Sequence, residues 1–351
     1  MSPSGIHISQ LGEFGLIKRV KESLPIPPAE VVVGIGDDVA VLKTSGSDYL
    51  LATCDAQVEN VHFVRGNITP YQLGQRIAAV NLSDIAAMAG TPLWALVSLA
   101  LPNELDTAFV DALYEGMIEQ LNGAGAVIVG GNMSRIDKDI VIDLCLLGMV
   151  APENLLLRSG AQVGDLVLTT GWLGDSRAGL ELIQRPELIV PESSRMQVEQ
   201  RHLVPQPRLR EGQQLGASHL VHAMVDVSDG LLGDIGHICR ASQVGAEIWR
   251  GKLPVSSACK EVAQVAGEDV SLWALTGGED YELLFTISPE ASTEIQEIIE
   301  ERTGTPCHIV GRILDAREGI QVCLDDGKRM SLPEGSAGWD HFGSQEPRAK
   351  S

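Results

Sequence analysis

Short acidic motifs, most of them next to glycine, recur along the whole of this 351-residue chain. They are GIGDDVAVL from Gly34, CDAQVENVHF from Cys54, NLSDIAAMAG from Asn81, GGNMSR from Gly130, VDVSDGL from Val225 and GGEDYELLF from Gly277. Each motif falls where a strand is predicted to end or a helix to begin. The fold is therefore expected to bring these strand and helix ends together. Carboxylates repel one another and gather only where a cation holds them. Hard oxygen ligands suit Mg²⁺, which usually binds substrate phosphates as well, so the motifs predict a site for metal and phosphate together.

Predicted strands and helices alternate along the chain. Val31–Val33 and Tyr49–Thr53 are predicted strands that deliver GDD and CDAQ to their ends. Thr69-Pro70 has the residue types that begin a helix. The apolar spacing that follows places Asn81 on the buried face of that helix, with Asp84 one turn further on. Strands and helices mixed in this way predict a layered α/β or α+β fold.

The length of the chain suggests two domains rather than one. The boundary is predicted near Ala151-Pro152, where a long apolar strand ends. We therefore expect one domain over residues 1–150, a second over 151–345 and a frayed tail over 346–351.

The formal charge of −21 excludes two classes of partner. Nucleic acid and anionic membrane surfaces both require clustered Lys and Arg, which are lacking here. No run reaches the roughly 18 apolar residues of a membrane span, and the N-terminus does not resemble a signal peptide. The six cysteines form no CxxC pair, which is typical of a reducing compartment. These features predict a cytoplasmic protein.

The DVSDG motif is the strongest of the acidic motifs. It turns Asp226, Ser228 and Asp229 through one tight bend before a helix that is predicted to begin after Gly230. The N-terminus of a helix is itself an anion site. Helix capping would account for one of these three residues but not for all of them, whereas the GDD of Asp37-Asp38, taken alone, is more often a turn.

Two further motifs indicate phosphate binding more weakly. Gly130-Gly131-Asn132 follows the predicted strand Ala126–Val129, and glycines there let backbone N–H groups approach a phosphate. Arg158 in LRSGA is either a bidentate phosphate clamp or an ordinary surface ion pair.

Two features near the C-terminal end suit an organic substrate. Glu279 and Asp280 lie at a turn before a strand, where they either bind a cationic part of a substrate or are simply solvated. Trp339 either stacks on a flat ring or packs the tail onto the domain. The chain has no GxxxxGK[ST] loop, so any ATP site must be of another design.

Taken together, these motifs resemble the thiamine-monophosphate kinase family, within the aminoimidazole ribonucleotide synthetase superfamily of ATP-binding enzymes. The likeness runs in family order from LGEF at Leu11 to GWDHF at Gly338 and includes RHLVPQPR at Arg201. It implies direct transfer of the γ-phosphoryl group of ATP to thiamine monophosphate, giving thiamine diphosphate. It also implies a homodimer, in which the strands of the N-terminal domain join those of a second subunit in a barrel. It further implies a C-terminal α/β domain, with the ATP site in the cleft between the two domains.

The resemblance also implies roles for individual residues. Magnesium ligands are expected at Asp38, Thr53, Cys54, Asp55, Asp84, Asn132, Asp226 and Asp229. ATP contacts are expected at Gly131, Asn132, Arg158 and Ser228, and substrate contacts at His62, Glu279 and Trp339. The groups expected to be catalytic are Asp55, Asp229 and Arg158.

Two positions depart from a common form of the family pattern. Asn132 stands where Asp is frequent, although an amide oxygen can still bind metal or phosphate. Cys54 stands where Thr is common, and because a thiol is a poor Mg²⁺ ligand, its backbone carbonyl is the better candidate.

Two alternative functions remain open. One is another ATP-using member of the superfamily; selenophosphate synthetase, for example, should carry a reactive Cys near its N-terminus, and none precedes Cys54. The other is a non-catalytic protein that binds metal or nucleotide, which would have no use for a substrate pocket at Glu279 and Trp339.

Overall fold

Two β-sheets with helices packed against them make up the computed structural model, which describes residues 7–331. The layered α/β prediction is confirmed. Trp339 and the expected tail lie outside the described residues. Among the helices of residues 7–331, none combines the length and the hydropathy of a membrane-spanning segment.

The first sheet contains six strands in the order β1-β2-β3-β6-β4-β5. They are β1 (Val31–Val33), β2 (Ala40–Lys43), β3 (Tyr49–Val58), β4 (Thr91–Leu101), β5 (Val127–Arg135) and β6 (Val141–Val150). Its strands pair antiparallel except β4 and β5, which are parallel. Helix α1 (Ile8–Ser23), interrupted at Gly12, precedes the sheet, and α2 (Pro70–Ala87) and α3 (Thr107–Gly123) pack on one face of it.

The second sheet contains seven strands in the order β13-β12-β9-β11-β7-β10-β8. They are β7 (Leu166–Thr170), β8 (Val221–Asp226), β9 (Val244–Trp249), β10 (Leu283–Ile287), β11 (Cys307–Asp315), β12 (Ile320–Cys323) and β13 (Arg329–Ser331). The helices are α4 (Asp175–Gln184), α5 (Glu192–Leu203), α6 (Leu209–Ser218), α7 (Leu231–Ser242), α8 (Ser257–Ala266), α9 (Val270–Thr276) and α10 (Ser292–Thr303). Helices α4, α5, α7, α8 and α9 share a core with one face of this sheet, and α6 and α10 share a core with the other.

Helix α2 begins where the sequence predicts. The hydroxyl of Thr69 accepts a hydrogen bond from the N–H of Gln72, and the Gln72 side chain accepts one from the N–H of Thr69. This capping box satisfies two N–H groups that have no partner within the helix. Pro70 occupies the first helical position, where its missing N–H costs nothing.

Helix α2 is held tightly against α3 and also reaches the second sheet. A Cβ atom on Gly74 would lie 2.0 Å from the carbonyl oxygen of Leu113, and one on Gly116 would lie 1.9 Å from that of Tyr71. The two helices therefore meet backbone to backbone. Because α2 also packs against β3, β8 and α6, it lies between the two halves of the molecule.

The opposite face of the first sheet is open and apolar. Trp94, Leu96, Val127 and Val129 are all exposed, while the alternate residues of β4 are buried against α2 and α3. Contiguous exposed apolar surface of this kind marks an interaction site more often than a simple solvent boundary.

Candidate functional site

Four acidic residues converge where α2 meets both sheets. Asp38 precedes β2, Asp55 lies on β3, Asp84 lies on α2 and Asp226 is the last residue of β8. Burial raises the pKa of Asp84 well above its ordinary value, and the charges of Asp55, Asp226 and Asp38 raise it further. The predicted gathering of these acids is therefore present in the folded chain.

Hydroxyl groups hold two of these carboxylates in place. The Oγ1 of Thr53 donates a hydrogen bond to Asp84 Oδ2 at 2.5 Å, and the Oγ of Ser83 donates one to Asp226 Oδ2 at 2.6 Å. Burial raises the pKa of Asp226 to about 7; the charge of Asp38 raises it too, whereas Ser83 and Arg158 lower it. Because burial and mutual repulsion disfavour the ionised carboxylates, a bound cation would be needed to keep the whole cluster in its charged form.

Arg158 supplies positive charge at one side of the cluster. Its Nε and one terminal nitrogen donate to the same atom, Asp38 Oδ1, at 3.1 and 2.5 Å. Burial lowers the pKa of Arg158, but Asp38, Asp37 and Asp226 outweigh this and raise it. Sequence reasoning left open a phosphate clamp or a surface ion pair, and the observed pair is instead largely buried.

The other carboxylate oxygen of Asp38 gives the clearest indication of a ligand. Within residues 7–331, no group donates a hydrogen bond to Asp38 Oδ2, although that atom is buried. A buried acceptor without a partner costs free energy and needs an explanation such as an ion. The donor set around it is made of carboxylates and hydroxyls, which fits Mg²⁺ and not a soft metal.

The DVSDG turn lies beside this cluster. The N–H of Asp229 donates to Asp234 Oδ2 at 3.2 Å, and the carbonyl oxygen of Ser228 accepts from the N–H of Glu279 at 2.8 Å. Gly230 adopts φ +98° at the N-terminus of α7, a conformation that glycine tolerates best.

Asp234 and His237 were not identified from the sequence, although both follow the motif at helical spacing on α7. Ligand atoms of Asp229, Asp234 and His237 lie within 4.8 Å of one another. However, the Nδ1 of His237 accepts from Arg158 and Arg240 at 3.3 and 3.1 Å. Burial and these two arginines lower the pKa of His237 to about 3, so its ring is neutral and lies among positive charges that oppose a cation there.

Cys54 lies on the opposite face of β3 from Thr53 and Asp55. Its thiol donates a hydrogen bond to Asp143 Oδ1 at 2.9 Å, and burial, with Asp143, raises its pKa to about 12. The sulfur therefore points away from the acidic cluster. The backbone carbonyl remains the part of Cys54 that could bind metal.

Gly131 and Asn132 do not lie at a strand end. Strand β5 continues through both of them to Arg135, which corrects the prediction that GGN terminates the strand. A Cβ atom on Gly131 would lie 1.9 Å from the carbonyl oxygen of Val97, because β4 runs directly alongside. Since β6 and β4 separate β5 from β3, these residues lie about 14 Å to the side of Asp55 within one chain.

The two acidic residues of the GGEDY segment differ in role. Glu279 lies at the candidate site, whereas Asp280 has a structural role. Glu279 forms an ion pair with Arg76, which sequence reasoning missed, and its Oε2 lies 3.6 Å from His202 Nδ1. Asp280 instead accepts hydrogen bonds from the N–H groups of Gly174 and Ser176 at 2.7 and 3.2 Å. Asp280 therefore caps α4 from a distant part of the chain.

His62 and Tyr281 complete the surroundings. The Nδ1 of His62 accepts from the N–H of Val58 at 3.0 Å, in the turn after β3. Tyr281, also missed from the sequence, is buried with φ +50°. Burial raises its pKa well above the ordinary value, followed by the charge of Glu279, and Asp55 and Asp226 add smaller contributions. The acidic cluster and the GGEDY segment are thus electrostatic neighbours.

Comparison with known proteins identifies the family. Residues 36–150 match the N-terminal domain of AIR synthase related proteins, and residues 162–323 match their C-terminal domain. The thiamine-monophosphate kinase of Aquifex aeolicus is 37% identical over 96% of this chain and 100% of that protein. The enzyme of Haemophilus influenzae is 35% identical over 95% of this chain and 98% of that protein.

A solved structure extends the likeness to three dimensions. AaThiL complexed with AMPPCP and TMP has a TM-score of 0.82 and 35% identity, covering 97% of this chain and 100% of that chain. Since relatives at this identity cover both chains almost completely, the chain belongs to the thiamine-monophosphate kinase family of AIR synthase related proteins.

Proposed function

We propose that this protein is a thiamine-monophosphate kinase, which transfers the γ-phosphoryl group of ATP to thiamine monophosphate and releases ADP. The observation that carries the proposal is the convergence of Asp38, Asp55, Asp84 and Asp226, in which the buried Oδ2 of Asp38 has no hydrogen-bond donor within residues 7–331. The relative AaThiL, complexed with AMPPCP and TMP, supports the choice of both substrates.

Magnesium is the cofactor that these residues fit. Asp38, Asp55, Asp84 and Asp226 would hold it, and Thr53, Asp229 and the carbonyl of Cys54 remain candidate ligands from the family resemblance. Asn132, which the resemblance also implies, lies about 14 Å to the side of Asp55 within one chain and is not included in this set. When bound, the metal would neutralise phosphate charge and orient the reacting groups.

Arg158 would supply the chain's own positive charge for phosphoryl transfer. Its guanidinium is fixed by Asp38 on one side and by neutral His237 on the other, so its orientation is set before phosphate arrives. Preorganised charge of this kind stabilises a transition state without further reorganisation. We propose that Arg158, together with Ser228, binds the nucleotide phosphates. The ATP contacts of Gly131 and Asn132, about 14 Å to the side of Asp55, stay predictions from the family resemblance.

The acceptor needs no general base. The second pKa of a phosphate monoester is about 6, so at neutral pH the attacking oxygen is already largely ionised. The low pKa of His237 keeps that ring neutral, and its Nδ1 accepts from two arginines, which suits holding Arg158 rather than moving a proton. We therefore expect direct transfer, and radiolabelled phosphate trapped on the protein during turnover would contradict it.

We propose that Glu279, with His62 and Trp339, binds thiamine monophosphate. Thiamine carries a permanent positive charge on its thiazolium ring, and Glu279 offers a partly exposed carboxylate close to the acidic cluster. This arrangement would place the acceptor next to the phosphates.

We further propose a homodimer formed through the open face of the first sheet. The exposed Trp94, Leu96, Val127 and Val129 supply an apolar surface suited to a second copy. Sedimentation of the wild type and of Trp94→Glu tests this, since the substitution should shift the protein toward monomers. A wild type that is monomeric at micromolar concentration would refute the dimer.

Purified protein, MgATP and thiamine monophosphate provide the decisive assay, with thiamine diphosphate measured as fluorescent thiochrome. We expect product from the wild type and from Asp137→Asn, an exposed control, but a loss of at least a hundredfold in Asp84→Asn. ATP turnover with a different acceptor would indicate another superfamily activity. Nucleotide binding without turnover would indicate a non-catalytic protein.

A further inference from the structure

Arg76 on α2 is a charged side chain in the interior of the molecule. Its side chain is only 1% exposed, and it is among the largest fully buried side chains. Taking a guanidinium out of water is costly unless its donors are paired with suitable acceptors, above all with an opposite charge. Burial of Arg76 therefore requires acceptors that compensate for the lost hydration of its guanidinium.

Those partners come from three separate parts of the fold. The Nε of Arg76 donates to Gln57 Oε1 at 3.3 Å, and its two terminal nitrogens donate to the carbonyl oxygen of His202 and to Glu279 Oε1. Gln57 lies on β3, two residues after Asp55 and on the same face; His202 lies in the last turn of α5. Arg76 therefore links the first sheet to α5 and to the GGEDY segment, beside the acidic cluster.

Glu279 needs such support because its backbone is unfavourable. It adopts φ +68°, a left-handed conformation that is uncommon for residues other than glycine, and Tyr281 two residues later adopts φ +50°. Conformations of this kind persist when surrounding contacts over-determine them, and they cluster at functional sites. The side chain of Glu279 is 32% exposed, so its carboxylate meets a buried guanidinium and still faces outward.

We propose that Arg76 is a positioning residue for the acceptor substrate: by binding Glu279 Oε1, it fixes the Glu279 carboxylate where the cationic ring of the acceptor binds. Arg76 itself does not touch the substrate. This inference rests on the proposed function, since it takes thiamine monophosphate as the acceptor. It predicts that Arg76 controls affinity for the acceptor and not for ATP.

A double-mutant cycle between Arg76 and Glu279 tests the inference. The variants are Arg76→Lys, Arg76→Gln, Glu279→Gln and the double variant Arg76→Gln/Glu279→Gln, each with Mg²⁺. KM is measured separately for thiamine monophosphate and ATP, and melting temperature reports on folding. Arg195→Lys is the matched control. Arg195 lies on α5 and, like Arg76, donates to a carboxylate, that of Glu199, and to a backbone carbonyl, that of Leu188.

Arg76→Lys keeps the positive charge but loses the planar guanidinium, whose nitrogens donate to three acceptors at once. It should raise the KM for thiamine monophosphate at least about tenfold while the KM for ATP stays within about twofold. Glu279→Gln should raise the acceptor KM similarly, and Arg76→Gln should add little in the Glu279→Gln background. Arg195→Lys should change neither KM.

Additive effects in the cycle, or an equal rise in both KM values, would show a general structural role and overturn the inference. Glu279→Gln with a normal acceptor KM would overturn it even if the Arg76 variants do not fold. These failures are distinct from failure of the proposed function, in which the wild type itself forms no thiamine diphosphate.

Discussion

Removal of metal should make the protein progressively less stable as the pH rises, and Asp226 should account for much of this effect. Its pKa is raised from 3.8 to about 7, first by burial and then by the charge of Asp38. A carboxyl whose pKa is higher in the folded state favours folding while it is protonated. Its contribution is therefore retained below about pH 4 and lost as the pH rises toward 7 and above.

The size of the effect follows from the pKa difference. At 1.36 kcal/mol per unit, about three units correspond to on the order of 4 kcal/mol between the extremes. About 3 kcal/mol of this should be lost between pH 5 and pH 8. Asp226→Asn removes the charge but leaves an amide oxygen that can still accept the hydrogen bond from Ser83, so the variant should escape most of that loss.

Urea unfolding in EDTA, followed by tryptophan fluorescence at pH 5 and pH 8, measures both free energies. At pH 8 without metal, Asp226→Asn should be more stable than the wild type, and at pH 5 the two should be closer. Millimolar Mg²⁺ at pH 8 should stabilise the wild type far more than the variant. The exposed control Asp137→Asn should follow the wild type throughout. A variant that matches the pH dependence of the wild type, or is less stable at pH 8 in EDTA, would refute the electrostatic reasoning.

Three further substitutions test other features. Gly116→Ala should lose about 2 kcal/mol or more in urea unfolding, because the new Cβ would lie 1.9 Å from the Tyr71 carbonyl oxygen; Gly123→Ala on the same helix, with no described atom within 4 Å, should lose none. Asp280→Ala should lower stability by about 1–2 kcal/mol in the same assay, since two N–H groups of α4 lose their acceptor. Cys54→Ser should retain kinase activity within about twofold if the carbonyl, not the thiol, faces the metal; a hundredfold loss of thiamine diphosphate formation would contradict this.

Local signals were sufficient for several parts of the fold and the site. Thr69 and Pro70 mark the start of α2 because capping depends on neighbouring residues alone, and the helical repeat then places Asn81 and Asp84 inward. The acidic motifs predict that several carboxylates gather, and Asp38, Asp55, Asp84 and Asp226 do lie close to one another. That magnesium holds them stays a prediction.

Contacts between distant parts of the chain could not be predicted in the same way. Asp280 caps a helix more than a hundred residues earlier, and nothing in GGEDY indicates which helix that is. Arg76 is polar and therefore expected on the surface, although its position three residues after Leu73 places it beside the buried face. The course of β5 through Gly131 depends on β4, which only the folded sheet brings alongside.

The geometry of α2 also restricts insertions and deletions within this helix. Arg76 and Asp84 are eight residues apart on this helix, and each added residue turns the remainder by about 100°. An insertion between them would swing Asp84 away from Thr53, or Arg76 away from Glu279. Homologues should therefore vary in length before residue 69 or after residue 90, and keep the spacing between these two positions constant.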